Sequence, residues 1–142
     1  MPVSHWLIKS EPNKYSWDTF VSDGKTFWDG VRNYEARNNL IAMKKGDLAL
    51  YYHSNIGKEV VGVARVIVES YQDPTTEDER WSVVDFEPVV AFTETVTLAD
   101  IKSDPNLAEI ALIKRSRLSV IPMLKTEFQY IMKRGKTKLP KA

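Results

Sequence analysis

FWDGVRNYEARNNLIAMKKGDLALYYHSN, residues 27–55, decides how this chain is read. It sets Trp28, Tyr34, Tyr51 and Tyr52 beside Arg32, Arg37, Asn33, Asn38, Asn39 and His53. Flat aromatic faces stack on a planar heterocycle, while forked arginine donors and asparagine amides read its edge. A helix that serves structure alone rarely spends two adjacent asparagines on itself, because that side chain competes with the backbone for hydrogen bonds. The stretch therefore predicts a module that binds a base or nucleotide. It also contains a change of period. Asn33 caps a helix running to about Lys45, with apolar Ala36, Leu40, Ile41 and Met43. Lys44 and Lys45 sit at its negative end and Gly46 stops it. Residues 47–53 (DLALYYH) then become β-branched and aromatic, and form a hairpin with residues 59–69 (EVVGVARVIVE) across Asn55 to Gly57.

Upstream, residues 4–8 (SHWLI) alternate as a short strand, which ends at Lys9-Ser10-Glu11-Pro12. Ser16 caps a helix from Trp17 to Ser22 that Gly24 closes. The segment from Phe27 to Arg32 is a loop turning at Asp29-Gly30. Downstream, residues 71–80 (YQDPTTEDER) read as an acidic, exposed loop. Residues 81–87 and 89–96 read as two strands, with Pro88 marking a bulge or corner. Thr97 and Asp100 begin a helix from Leu98 to Ser103. Ser116 to Val120 is a short strand ended by Pro122, and Thr126 to Arg134 is an amphipathic helix stopped by Gly135. Helices inserted early and late around a run of strands make an α+β domain. Its sheet is expected to be mostly antiparallel and curled into a small barrel of five to six strands with flanking helices. The 142 residues form one domain, 1–142, with residues 136–142 a flexible tail.

A hydrophobic content of 43% with 27% charged residues is that of a soluble globular protein. The longest apolar run, near Val60 to Val68, is broken by Arg65 and is too short for a bilayer span. The N-terminal residues lack a charged start followed by a long apolar region, so no signal peptide is expected. Cysteine is absent, which excludes disulfide and thiol chemistry and is compatible with a reducing compartment. A cytoplasmic protein is expected, or a nuclear one in a eukaryote. His5 and His53 are the only histidines, so a histidine-rich metal site is excluded, and no cofactor is expected. No GxGxxG or Walker pattern occurs. The net charge of +1 hides a partition: residues 1–68 carry +2, residues 69–101 carry −8 and residues 102–142 carry +7. The basic C-terminal third either faces phosphates or pairs with the acidic third.

A Ser-His-Asp triad drawn from Ser54, His53 and Asp29 fails, because adjacent residues of a strand point to opposite faces. What remains is recognition chemistry. Trp28, beside Asp29-Gly30, serves either as a stacking wall or as a hydrophobic plug of the core. Arg32 and Arg37 bind phosphate or a base edge, or else pair with Asp29 or Glu35. His53, Ser54 and Asn55 fall at a strand end, where ligands gather, or they cap a turn. Arg117 reaches inward to an acceptor or lies on the sheet face.

These residues fall in blocks that resemble the EVE domain, a PUA-like family. The blocks are WLIKSEP (6–12), YSWDTF (15–20), residues 27–55, VVGVARV (60–66), YQDPT (71–75), the W-x-VVD-F strand (81–86) and LIKRSRLSVIPM (112–123). They cover nearly the whole chain in order. The resemblance implies a five- or six-stranded barrel akin to YTH, ASCH and SRA domains, which hold a flipped, modified base at the barrel mouth. It implies a reader of modified cytosine, with DNA favoured over RNA, no membrane association and no obligatory protein partner. By analogy with base-flipping proteins, Trp28 would stack on the base. Lys9, Ser10 and Glu11 would meet its edge. Val31 and Asn33 would shape the pocket, His53 and Ser54 would form the opposite wall, and Arg32 and Arg117 would hold phosphate or anchor acceptors. Two other readings stand beside it. One is an enzyme acting on a nucleobase through Glu11 or His53, against which counts the lack of a nucleophile-base pair. The other is a protein-interaction module using the acidic loop at 73–79.

Overall fold

The computed structural model describes residues 3–140. Six strands form one mixed sheet in the order β2-β5-β4-β3-β1-β6. They are β1 (His5–Ser10), β2 (Thr26–Phe27), β3 (Leu48–His53), β4 (Glu59–Gln72), β5 (Ser82–Thr97) and β6 (Val120–Met123). Five helices are inserted: α1 (Trp17–Asp23), α2 (Tyr34–Ala42), α3 (Leu98–Ser103), α4 (Ala111–Lys114) and α5 (Lys125–Arg134). The α+β class is as expected. The barrel is not closed: β2 and β6 are the two edges and do not pair with each other. Edge strands of two and four residues are too short to carry a closing ladder. Instead α2 packs across the gap, against β4, β5 and β6.

Local chemistry sets several boundaries. The Ser16 side chain accepts from the Thr19 amide at the start of α1, and Asn33 accepts from the Ala36 amide at the start of α2. Thr97 and Asp100 form a reciprocal capping box at α3. The two strands expected on either side of Pro88 are one long strand with a register shift. Ala64 faces Pro88 and Val63 faces Val90, so the proline falls at a bulge, where its missing N–H disturbs the ladder least. Pro122 does not end a strand. It lies within β6, opposite Trp6, and is tolerated because β6 is an edge. The short strand expected from Ser116 begins only at Val120, which leaves Arg117 in the α4–β6 loop.

The pairing of β1 with β3 is parallel, His5 to Leu48 through Ser10 to His53. α1, β2 and α2 make the crossover between them, so the carboxyl ends of both strands lie side by side. Beneath this end lies a cluster of aromatic rings. Tyr51 and Phe20 are fully buried and stacked, centroids 5.4 Å apart, and Trp17 meets both edge-on. Such pairs contribute about 0.5–1.5 kcal/mol each beyond their area. Gly62 on β4 is required by this packing: a Cβ there would lie 2.5 Å from the Trp17 ring. At the other end of β1, buried Asp47 accepts from the Ser4 and Lys44 amides and from Trp6 Nε1, so its carboxylate is fully partnered.

After α5 the chain remains attached to β5. The Thr93 amide donates to Thr137 Oγ1 at 2.9 Å and the Glu94 amide to the Gly135 carbonyl at 3.0 Å. Of the expected tail, residues 141–142 lie outside the described residues.

Candidate functional site

A cleft of about 660 Å³ opens at the carboxyl ends of β1 and β3. Backbone hydrogen bonds draw its walls together. The Ser54 amide donates to the Ser10 carbonyl at 2.9 Å and the Lys9 amide to the Ser119 carbonyl at 3.0 Å. The end of β1 contributes Lys9, Ser10 and Glu11, and the β3–β4 loop contributes Ser54. The α4–β6 loop contributes Ser116, Arg117 and Ser119, and Lys14, Tyr15 and the segment from Thr26 to Gly30 complete the lining. Of the ten residues singled out from sequence, Lys9, Ser10, Glu11, Trp28, Ser54 and Arg117 meet here.

Trp28 is 8% exposed and lines the cleft. Its amide donates to the Val84 carbonyl at 2.9 Å. Its ring is held edge-on by Tyr51 at 5.5 Å, Phe86 at 5.7 Å and Tyr15 at 6.5 Å. Trp28 is therefore packed into the core as a plug would be, and it also borders the cleft.

The polar groups are partly committed, which defines what each has left. Ser10 Oγ donates to the Tyr15 carbonyl at 2.8 Å, so its lone pairs remain to accept. Lys9 Nζ donates to the Ser116 carbonyl at 2.9 Å and keeps two further donors. Burial lowers the pKa of this ammonium from its ordinary value. Glu11 pairs with Lys14 at 2.9 Å and retains acceptor capacity. Arg117 is exposed and carries no ion pair among the described residues. The cleft thus offers donors and acceptors around one rigid aromatic wall.

Four of the ten stand behind or beside it. The Nε2 of His53 accepts the Trp17 amide at 3.0 Å, so the imidazole anchors the start of α1. That nitrogen is occupied and gives Ser54 no base. Burial lowers the His53 pKa, against the opposing charges of Glu59 and Asp18. Val31 is buried in the core, and Asn33 caps α2. Arg32 donates to Asp73 Oδ2 at 3.0 Å and to the Val31 carbonyl at 3.1 Å.

Asp73 is the residue that sequence reasoning missed. The loop holding it reads as acidic and exposed, yet its carboxylate is fully buried. It accepts from the Gly30 amide at 3.2 Å, from Arg32, and from the Thr75 amide and hydroxyl. Burial alone would raise its pKa, but these donors outweigh burial and hold it below the ordinary value. Gly30, at φ 75°, turns its amide into this contact. The Asp-Pro-Thr spacing is the signal that was present: it is the pattern of an Asx turn, in which the carboxylate faces inward to its own backbone.

The sequence profile of the EVE domain matches residues 4–134. Human thymocyte nuclear protein 1 is 34% identical, over 91% of this chain and 72% of its own length. A crystal structure of a protein from Agrobacterium tumefaciens superposes with a TM-score of 0.93 at 40% identity, covering 98% of this chain and all of that one. The structure of human THYN1 protein in complex with 5-methylcytosine-containing DNA superposes with a TM-score of 0.88 at 32% identity, covering 96% of this chain and 99% of that one. With the profile matched from the first strand to the end of the last helix, the chain belongs to the EVE domain family.

Proposed function

We propose that this protein reads a modified cytosine in DNA by holding the extruded base in the Trp28 cleft. The observation that carries the reading is the pairing of a rigid ring with mixed polar groups in a space that admits a base. Cytosine presents an exocyclic amine donor beside a ring nitrogen and a carbonyl acceptor. Ser10 and Glu11 have acceptor capacity for the amine, and Lys9 and Arg117 have donors for the acceptors. Val31, Arg32, Asn33 and His53 act in this reading as supports that hold the loop and α1 in place. The THYN1 complex with 5-methylcytosine-containing DNA supports the ligand class, a modified cytosine in DNA. A reader of this kind works wherever its DNA lies, in bacterial cytoplasm or a eukaryotic nucleus.

The test is titration of the pure protein with oligonucleotides that carry one cytosine, 5-methylcytosine or a more polar 5-substituted cytosine, in DNA and RNA. A buried methyl is worth about 0.8 kcal/mol, so a preference of a few-fold is expected for 5-methylcytosine. A larger factor requires a polar substituent with a matched partner. Identical curves across the panel overturn the reading.

A further inference from the structure

Resting on that reading, we infer that the DNA strand leaves the cleft along one flank only, across Lys58 and Lys102. A hollow of about 310 Å³ adjoins the cleft through shared Lys9, Ser54 and Ser116, and adds Lys58 and Lys102 to its wall. Those two lysines continue into a further hollow of about 360 Å³. No carboxylate lines either space, and neither lysine carries an ion pair among the described residues. Their elements are joined: the Leu98 amide, at the start of α3, donates to the Lys58 carbonyl at 2.8 Å. The loop that presents Lys58 has a defined shape, with Asn55, Gly57 and Lys58 all at positive φ.

The other flank is different. A hollow of about 300 Å³ shares Ser116 and Arg117 with the cleft and adds Lys114 and Arg115. Lys114 is paired with Glu109, and Arg115 with Glu35 through both guanidinium nitrogens. Among the described residues only Arg117, at the border with the cleft, is unpaired on this side. Beyond it a phosphate must break an existing pair, and it meets the carboxylates of Glu109 and Glu35. The basic tail lies elsewhere again. Arg134 is held by Asp104 and Lys136 by Glu94, and the hollow lined by Lys133, Lys136 and Lys138 shares no residue with the cleft. A free lysine that neutralises a phosphate releases a counterion condensed on the nucleic acid, whereas a lysine whose charge is already met by a carboxylate neutralises little of the phosphate charge.

The experiment uses the full chain and single-stranded DNA carrying one 5-methylcytosine at the centre, at the 5′ end or at the 3′ end. Affinity is measured from about 50 to about 200 mM salt. One end-placed oligonucleotide is expected to bind as the central one does, and the other several-fold more weakly. In the double variant Lys58→Asn, Lys102→Gln the salt slope flattens by about 1.4, at about 0.7 per phosphate, so about sevenfold less affinity is lost over that range. Asparagine is chosen because it tolerates positive φ, and an unchanged melting temperature shows that the variant is folded. Its preference for 5-methylcytosine over cytosine is unchanged, and Lys133→Gln with Lys138→Gln alters neither slope nor affinity. Equal binding of both end-placed oligonucleotides, an unaltered slope in the Lys58/Lys102 variant, or the loss appearing in the tail variant overturns the path. If the parent protein shows no preference for 5-methylcytosine, the cleft reading falls, whatever the variants do.

Discussion

Trp28 and Tyr34 come from one short stretch of chain and end in opposite physical settings. Trp28 is 8% exposed among Tyr15, Tyr51 and Phe86, all meeting it edge-on. Tyr34 is 51% exposed and stacks on Trp81 at 5.3 Å, with the Arg37 guanidinium 4.9 Å from its ring. Arg32 and Arg80 each lie 5.6 Å from the Trp81 ring. The inner cluster is buried and interlocked edge to face, with the Tyr51 phenol donating to the Tyr15 carbonyl, so its rings are held rigidly. The outer one alternates rings with cations and fastens the 73–81 loop to α2. Aromatics next to arginines in sequence therefore mark two different devices. The start of α2 separates them, and Asp73, which takes both Gly30 and Arg32, links them.

The largest expected effect is Trp28→Ala. Removing a buried tryptophan costs about 3–5 kcal/mol of stability. Loss of a stacking wall costs a further 1–3 kcal/mol or so of base affinity. Melting temperature and affinity, corrected for folded fraction, are read on the same variant. A destabilised protein with full affinity would make the inner cluster core and nothing more.

Asp73→Asn comes next. It removes the charge that Arg32 faces while retaining an acceptor, and it leaves Gly30 or Arg32 poorly matched in a buried place. The cost is about 1–3 kcal/mol. Because Gly30 belongs to the cleft wall, affinity falls although Asp73 does not line the cleft. Affinity that stays at the parent value would show the two regions to be independent.

What the sequence showed of this arrangement follows a physical rule. Features set by neighbours in the chain were legible: the Ser16 cap, the Thr97–Asp100 box, the Pro88 bulge and the Gly135 stop. Lys9, Ser10, Glu11, Trp28, Ser54 and Arg117 were named together through the family blocks, and they do line one cleft. Features set by distant partners were not legible. The parallel pairing of β1 and β3 leaves no mark in either strand. The burial of Asp73 depends on Arg32 and Gly30, far along the chain. α4 is a single turn without a side-chain cap, and no cap residue announced it. For the basic C-terminal third, charge alone left open whether it faces phosphates or pairs with the acidic third. Arg115, Arg134 and Lys136 are paired, and of their partners Glu35, Asp104 and Glu94 only Glu94 belongs to that acidic third.

Acid separates the two regions in a smaller effect. Burial holds the His53 imidazole below its ordinary value of 6.5, and Nε2 must be unprotonated to accept from Trp17. The unfolded chain then binds this proton more readily than the fold does. The stability is complete above 6.5 and falls as pH drops below it, through the depressed folded value. His5, lowered by burial and by Lys125, adds to the same fall. In the outer cluster Arg80 holds Asp78 at about 2, so its charge persists through this range. Thermal melting from neutral pH to about pH 5 should show a decline in the parent that His53→Gln reduces, since glutamine still offers an acceptor. An identical decline in the variant removes His53 from the account.

Tyr34→Ala is the smallest effect and the sharpest test of the division. The side chain is half-exposed, so little apolar burial is lost. What disappears is the stack on Trp81, the cation contact with Arg37 and the hydrogen bond from Arg80 to the phenol oxygen. Exposed contacts of this kind are worth about 0.5–1 kcal/mol. Tyr34→Phe keeps the rings and loses only the hydrogen bond, so its cost should be smaller still. Neither variant disturbs the Asp73 contact to Gly30, and neither touches the cleft lining. Titration with the 5-methylcytosine oligonucleotide should therefore return the parent affinity for both. If Tyr34→Ala weakens binding as much as Trp28→Ala does, the outer rings belong to the nucleic-acid surface after all. The base-binding stretch would then be one continuous site, as its sequence first suggested.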